Sequence, residues 1–97
     1  MQDLFNQELE FDWDLGNIDK NFVKHKVTNR ECEEAFFDLN ALVTKDVFHS
    51  TIEPRYQLLA KIKKRYLTIY FTHRSNKIRV ISARDMSNKE KKQYETV

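Results

Sequence analysis

Arg55, Arg79 and Arg84 stand in stretches where apolar residues recur at every second position, and Tyr70 stands in another such stretch between them. Guanidinium forks grip phosphate at two points and tyrosine rings accept stacked bases, so these residue types suit single-stranded RNA. Cutting an RNA backbone without a metal needs three groups at one phosphate. A base takes the 2′-hydroxyl proton, cations hold the developing charge, and an acid protonates the leaving oxygen. Arg55 and Arg79 are the candidate phosphate clamp, with Arg84 as its third member. His25 is the first candidate acid or base, because an imidazole ordinarily titrates near neutrality. Glu53 and Tyr94 stand in reserve. Lys20, Lys24, Lys61 and Tyr70 are candidate RNA contacts. His25, His49 and His73 are far apart and lack ligand spacing, so neither a metal nor another cofactor is expected. Two plainer readings stay open. A histidine ending a helix often serves only the last carbonyls, and Arg, Lys, Tyr and Thr are ordinary on the wet side of an antiparallel sheet.

These groups meet only if strands place them. Residues 55–62, 66–72 and 77–84 each carry the period of two of a half-buried strand, with turns centred on Lys63-Lys64 and Ser75-Asn76. One face then collects Tyr56, Leu58, Ala60, Ile62, Leu67, Ile69, Phe71, Ile78 and Val80 as a core. The other carries Arg55, Gln57, Leu59 and Lys61, then Tyr66, Thr68, Tyr70 and Thr72, then Lys77, Arg79, Ile81 and Ala83. In this register Arg55 and Arg79 flank Thr72, Tyr70 lies beside Gln57 and Ile81, and Arg84 points coreward at a strand end.

Earlier in the chain, residues 9–13 alternate and suit a short strand, anchored in the core by Trp13. Asp14 is placed to cap a helix over 15–25 whose core stripe is Ile18 and Phe22. Thr28 and Glu31 form a capping box, with Val27 as its staple, opening a helix to about residue 37 that buries Cys32, Ala35 and Phe36. Short strands are expected around 42–43 and 47–48. Ser87 and Glu90 form a second capping box for a final helix to about residue 96, with Lys89, Lys91 and Lys92 opposing its macrodipole.

Composition sets the limits. Ninety-seven residues, with 40% hydrophobic and 33% charged side chains and one Gly and one Pro, suit a single domain over 1–97 built mostly of regular structure. No apolar run approaches the roughly 20 residues of a membrane helix, and the first residues lack a secretion signal, so a cytoplasmic protein is expected. A lone cysteine excludes an internal disulfide. Residues 1–53 hold 5 Lys/Arg against 12 Asp/Glu, and residues 54–97 hold 12 against 3. Such segregation suits a polyanion-binding surface; it equally suits two halves that pair with each other.

The ordered series Phe11-Asp12-Trp13-Asp14, Asn17, Lys20-Asn21, Lys24-His25 and Val27 resembles the BrnT toxin family. So do Glu34-Ala35-Phe36-Phe37, His49-Ser50, Arg55-Tyr56, Thr72 with Arg74, and the run from Ile78-Arg79-Val80 through Ile81-Ser82-Ala83-Arg84, with Glu90 and Tyr94 completing the pattern. The resemblance implies an α+β, RelE-like fold: two N-terminal helices packed on one face of an antiparallel sheet, and a short C-terminal helix. It implies the toxin of a type II toxin–antitoxin system, an endoribonuclease that cleaves RNA and inhibits translation. The implied partner is a BrnA-like ribbon-helix-helix antitoxin, with DNA reached only through it, no membrane, and a toxin dimer within the complex. Ala60 stands where members usually have Gly, and Lys63-Lys64 replaces a Gly-containing hairpin. A non-catalytic module that keeps antitoxin or nucleic-acid binding is the alternative.

Overall fold

A computed structural model of the chain describes residues 9–49 and 52–96. Its sheet is built where alternation is strongest. Tyr56–Ile62 (β2), Arg65–Arg74 (β3) and Lys77–Asp85 (β4) form an antiparallel meander, and Leu42–Lys45 (β1) pairs with β2, giving the order β1-β2-β3-β4. The hairpin turns fall at Lys63-Lys64 and Ser75-Asn76 as expected. With no glycine available, Lys63, Ser75 and Asn76 take left-handed backbone, with φ of 41°, 53° and 64°.

The expected core face is the core. Leu58, Ala60, Ile62, Leu67, Ile69, Phe71, Ile78 and Val80 are buried together, and Tyr56 packs against them. The alternation breaks once. Phe71 pairs with Val80 while Tyr70 pairs with Ser82, so Ile81 is an extra residue in a β-bulge. One extra residue reverses every side chain beyond it. Ala83, expected on the outer face, is in the core. Arg84, expected coreward, pairs across the sheet with Thr68 and turns to the outer face.

Asn29–Ala35 (α2) lies over the core face. Its capping box is complete: the Glu31 amide donates to Thr28 Oγ1 at 3.0 Å and the Thr28 amide to Glu31 Oε1 at 2.9 Å. Val27, Cys32, Ala35 and Phe36 are buried with the sheet, and burial pushes the Cys32 thiol up to about 12. Phe36 meets Phe11 and Phe71 edge-on, at 5.4 and 4.9 Å between ring centroids.

The N-terminal helix departs from expectation. It is only Lys20–His25 (α1), entered through a turn, and the Asp19 N-cap makes no side-chain hydrogen bond. Asp14 does not cap it, because its carboxylate takes the Gly16 amide and the Arg79 guanidinium instead. Nor do Ile18 and Phe22 face the core; they are 41% and 46% exposed, while Asn17 and Asn21 are each 4% exposed. The cause is the outer edge of β4, whose backbone groups need partners. Ile78 exchanges backbone hydrogen bonds with Glu10 and Asp12, the whole of the short strand expected at 9–13. Asn17 Nδ2 then donates to the Val80 carbonyl at 3.1 Å, and the Ala83 amide donates to Asn21 Oδ1 at 2.8 Å. Two asparagines thus finish an edge that a further backbone strand would otherwise cover. Trp13 anchors this segment, its indole donating to Glu33 at 2.8 Å.

The strand expected around 47–48 is a 3-10 turn, Val47–His49. The last helix, Asn88–Glu95 (α3), has its capping box formed by Ser87 and Glu90 and crosses the outer face of the sheet. Tyr94 meets Tyr66 edge-on at 5.9 Å and donates its hydroxyl proton to Asp38 at 2.6 Å; burial and that carboxylate raise its pKa. The outer face is therefore only partly open.

Candidate functional site

Cross-strand pairing sets Thr44, Gln57, Tyr70 and Ser82 side by side over all four strands of the outer face. Gln57 Nε2 donates to the Tyr70 hydroxyl oxygen at 3.0 Å, which leaves the phenol its own proton to give. Next to Tyr70, a hollow of about 300 Å³ is lined by Asp46, Arg55, Tyr70, Ile81 and Ser82. The bulge at Ile81 shapes one wall, and the Asp46 amide, donating to the Arg55 carbonyl at 2.8 Å, ties the other to the entry of β2.

Arg84 borders this region because of the same bulge. Its guanidinium lies 5.9 Å from the centre of the Tyr70 ring and holds Glu90 at two points, 2.7 and 2.9 Å. Glu90 also accepts from Thr68 Oγ1 at 2.9 Å, from the Ser87 amide at 2.8 Å and from Gln57 Nε2 at 3.3 Å. The Arg84 contact, with the Ser87 and Thr68 hydrogen bonds, lowers the Glu90 carboxyl to about 2, and Arg84 is raised by the same pairing. Glu90 is thus a hub joining α3, β3 and β4.

Arg79 shares the outer face with Thr72, its cross-strand partner, but its guanidinium is turned to the N-terminal segment. It holds Asp14 through two contacts of 2.9 Å and reaches Asp12 at 3.5 Å, leaving 14% of its side chain exposed. The Arg79 contact and the Gly16 amide hold the Asp14 carboxyl below its ordinary range. Glycine leaves room beside this pair: a Cβ on Gly16 would lie 2.9 Å from Arg79 Nη2 and 3.0 Å from Asp14 Oδ1, so one of those side chains would have to shift.

The remaining candidates are scattered. His25 ends α1 exposed, and its carbonyl, with that of Lys26, accepts from Arg65. Arg65 also holds Asp85 and Glu31, fastening α1 to the Asp85 end of β4, next to Arg84. Lys20 and Lys24 line a separate hollow with Ile18 and Val23. Lys61 sits 5.1 Å over the Tyr66 ring, beside α3. Glu53 pairs with Arg74 at 3.0 Å, and the His49 side chain lies outside the described residues. Among the described residues no three His, Cys, Asp or Glu side chains converge as a metal set. Sequence reasoning passed over Asp46, Ser82 and the hub role of Glu90. The signals for Glu90 were its capping box, which accounts for one of its partners, and its place in the family pattern, which names none of the others.

Comparison with known families brings one decisive finding. The family described as the ribonuclease toxin, BrnT, of type II toxin-antitoxin system matches residues 13–90. The chain belongs to the BrnT family. The BrnT match opens at Trp13 and closes at Glu90, so the Arg79–Asp14 and Arg84–Glu90 pairs and the Tyr70 hollow all lie inside it. BrnT membership makes the chain a toxin of ribonuclease type and implies an antitoxin partner. A search of curated protein sequences found no match.

Proposed function

We propose that this BrnT chain, acting as one domain over residues 1–97, is a metal-independent endoribonuclease of the cytoplasm whose cleavage of RNA inhibits translation. A BrnA-like ribbon-helix-helix antitoxin neutralises it, carries the complex to DNA and bridges two toxin copies. The observation that carries the reading is the hollow that Arg55 and Tyr70 line together, with the Arg84 guanidinium 5.9 Å from the centre of the Tyr70 ring. The scissile phosphate binds there, its charge held by Arg55 and Arg84. Arg79 fixes the N-terminal segment through Asp14 and adds its field to the same face.

The reaction is transfer within the RNA. The 2′-oxygen bonds to phosphorus as its proton passes to a base, and the bond from phosphorus to the 5′-oxygen breaks as an acid protonates that oxygen. The products are a 2′,3′-cyclic phosphate and a 5′-hydroxyl. His25, at the exposed end of α1, is proposed for one proton transfer, and Tyr70 for the contact that orients the phosphate. Lys20, Lys24 and Lys61 guide flanking RNA.

A second reading has its own support. Arg79 and Arg84 both hold carboxylates of their own chain, as they would in a non-catalytic module that keeps only antitoxin binding. Purified chain, incubated with RNA beside its Arg55→Ala and His25→Gln variants, separates the two. Loss of one transition-state contact is expected to slow cleavage about 10²–10³-fold in Arg55→Ala, and loss of an acid or base about 10²–10⁴-fold in His25→Gln. Arg55→Ala cutting at the wild-type rate removes the hollow from the reaction. Intact RNA with every protein, together with growth unaffected by expression, establishes the second reading.

A further inference from the structure

The phosphate hollow has a neighbour. Asp46 and Tyr70 also line a second space of about 230 Å³, shared with Thr44, Lys45, Val47, Phe48 and Gln57. Phe48 is 91% exposed and Val47 73% exposed, on the 3-10 turn that stands where a short strand was expected. A phenyl ring left almost wholly in water forgoes the stabilisation its burial would bring, and the core lies on the opposite side of the sheet. The space this ring lines is otherwise polar: Thr44 Oγ1 and Gln57 Oε1 are 3.5 Å apart, Gln57 in turn holds Tyr70, and Lys45 and Asp46 add charged groups. A pocket for an apolar protein anchor would be lined by apolar side chains. An aromatic wall beside amide and hydroxyl groups instead matches a nucleobase, whose faces stack and whose edges form hydrogen bonds. Strands are spaced about 4.8 Å apart, so the space at Gln57 and the phosphate hollow at Tyr70 are adjacent.

We infer that Phe48, backed by Val47, is a stacking platform for the nucleobase that adjoins the cleaved phosphate. The inference rests on the proposed ribonuclease site and adds to it a base subsite, so that the outer face binds a nucleotide and not a phosphate alone. Because every base has a π-face, the platform strengthens binding with little choice among bases.

Binding is measured with a short single-stranded RNA whose attacking 2′-hydroxyl is replaced by hydrogen, so that it cannot be cut. Phe48→Ala is expected to bind it about 5- to 150-fold more weakly, the fold-change that corresponds to about 1–3 kcal/mol for one stacked base. Phe48→Trp restores binding and Phe48→Leu does not. The same RNA lacking the adjoining base binds wild type and Phe48→Ala equally, because each change removes the same contact. Phe48→Ala binding the intact RNA as tightly as wild type overturns the inference, as do losses that simply add between variant and abasic RNA. So does a Phe48→Ala chain with normal RNA binding that escapes neutralisation by its antitoxin, which assigns the ring to the protein partner. Coupled losses in binding, with no cleavage of all-ribose RNA by wild type, leave the platform standing and sink the ribonuclease reading alone.

Discussion

A carboxylate that accepts at once from Arg84, Thr68 and the Ser87 amide is stabilised as an anion, and Glu90 sits at about 2 against an ordinary 4.5. A depressed acid contributes stability that is present above its unfolded value and vanishes as pH falls through the folded one. The window is therefore about pH 4.5 down to 2, and the shift corresponds to about 3 kcal/mol at neutral pH. Chemical denaturation of wild type and Glu90→Gln should show a gap of that order at pH 7 that narrows markedly by pH 3. A gap unchanged with pH would mean that the Glu90 contacts act only through their shape. Gly16 poses a different question, because the crowding there comes from the tip of a flexible arginine. Gly16→Ala is expected to lower the thermal midpoint by dislodging Arg79 from Asp14, and Asp14→Asn to do the same. Their combination should add little, since both undo one contact, and fully additive losses would separate Gly16 from the pair.

At the scale of elements, the sharpest test concerns the face that α1 turns inward. Asn21→Ala leaves the buried Ala83 amide without its acceptor, at a cost of about 1–3 kcal/mol. Phe22→Ala, on the exposed side, should stay within about 0.5 kcal/mol. The opposite ranking in urea denaturation would restore the stripe read from spacing. That stripe failed for a physical reason. Periodicity reports apolar surface, whereas α1 is oriented by the polar demand of a strand edge more than fifty residues away. The meander was legible because alternation, turn positions and core face all depend on neighbours in sequence. The bulge at Ile81 was not, since no glycine marks it, and with it went the outward turn of Arg84. Arg55, Tyr70 and Thr72 could thus be set on one face from the sequence, while the Arg84–Glu90 and Arg79–Asp14 pairs could not. The β2–β3 hairpin offers another check. Lys63 holds φ of 41° in the turn, a left-handed backbone that glycine takes without strain, so Lys63→Gly should raise unfolding free energy by about 0.5–1 kcal/mol.

Over the whole molecule the charge asymmetry resolves largely into pairing. Arg79 with Asp14, Arg65 with Glu31 and Arg74 with Glu53 each join the basic second half to the acidic first. Arg84 holds Glu90 within the second half. A chain that spends its arginines in this way presents RNA with a small footprint, not a basic face. Salt dependence measures that footprint. On single strands the slope of log affinity against log salt is about −0.7 for each phosphate neutralised, so Arg55 and Arg84 alone give about −1.4, the three guiding lysines carry it to about −3.5 at most, and all twelve cations of the second half would give about −8. Titration of a non-cleavable RNA between low and physiological salt should fall on the shallow line, and Arg55→Ala should flatten it by roughly 0.7. A slope beyond about −4 would move recognition to the lysine-bearing helices and hairpin. Bound RNA would then lie across Lys20, Lys24, Lys61 or α3, and the Tyr70 hollow would lose its place as the point where the backbone is gripped.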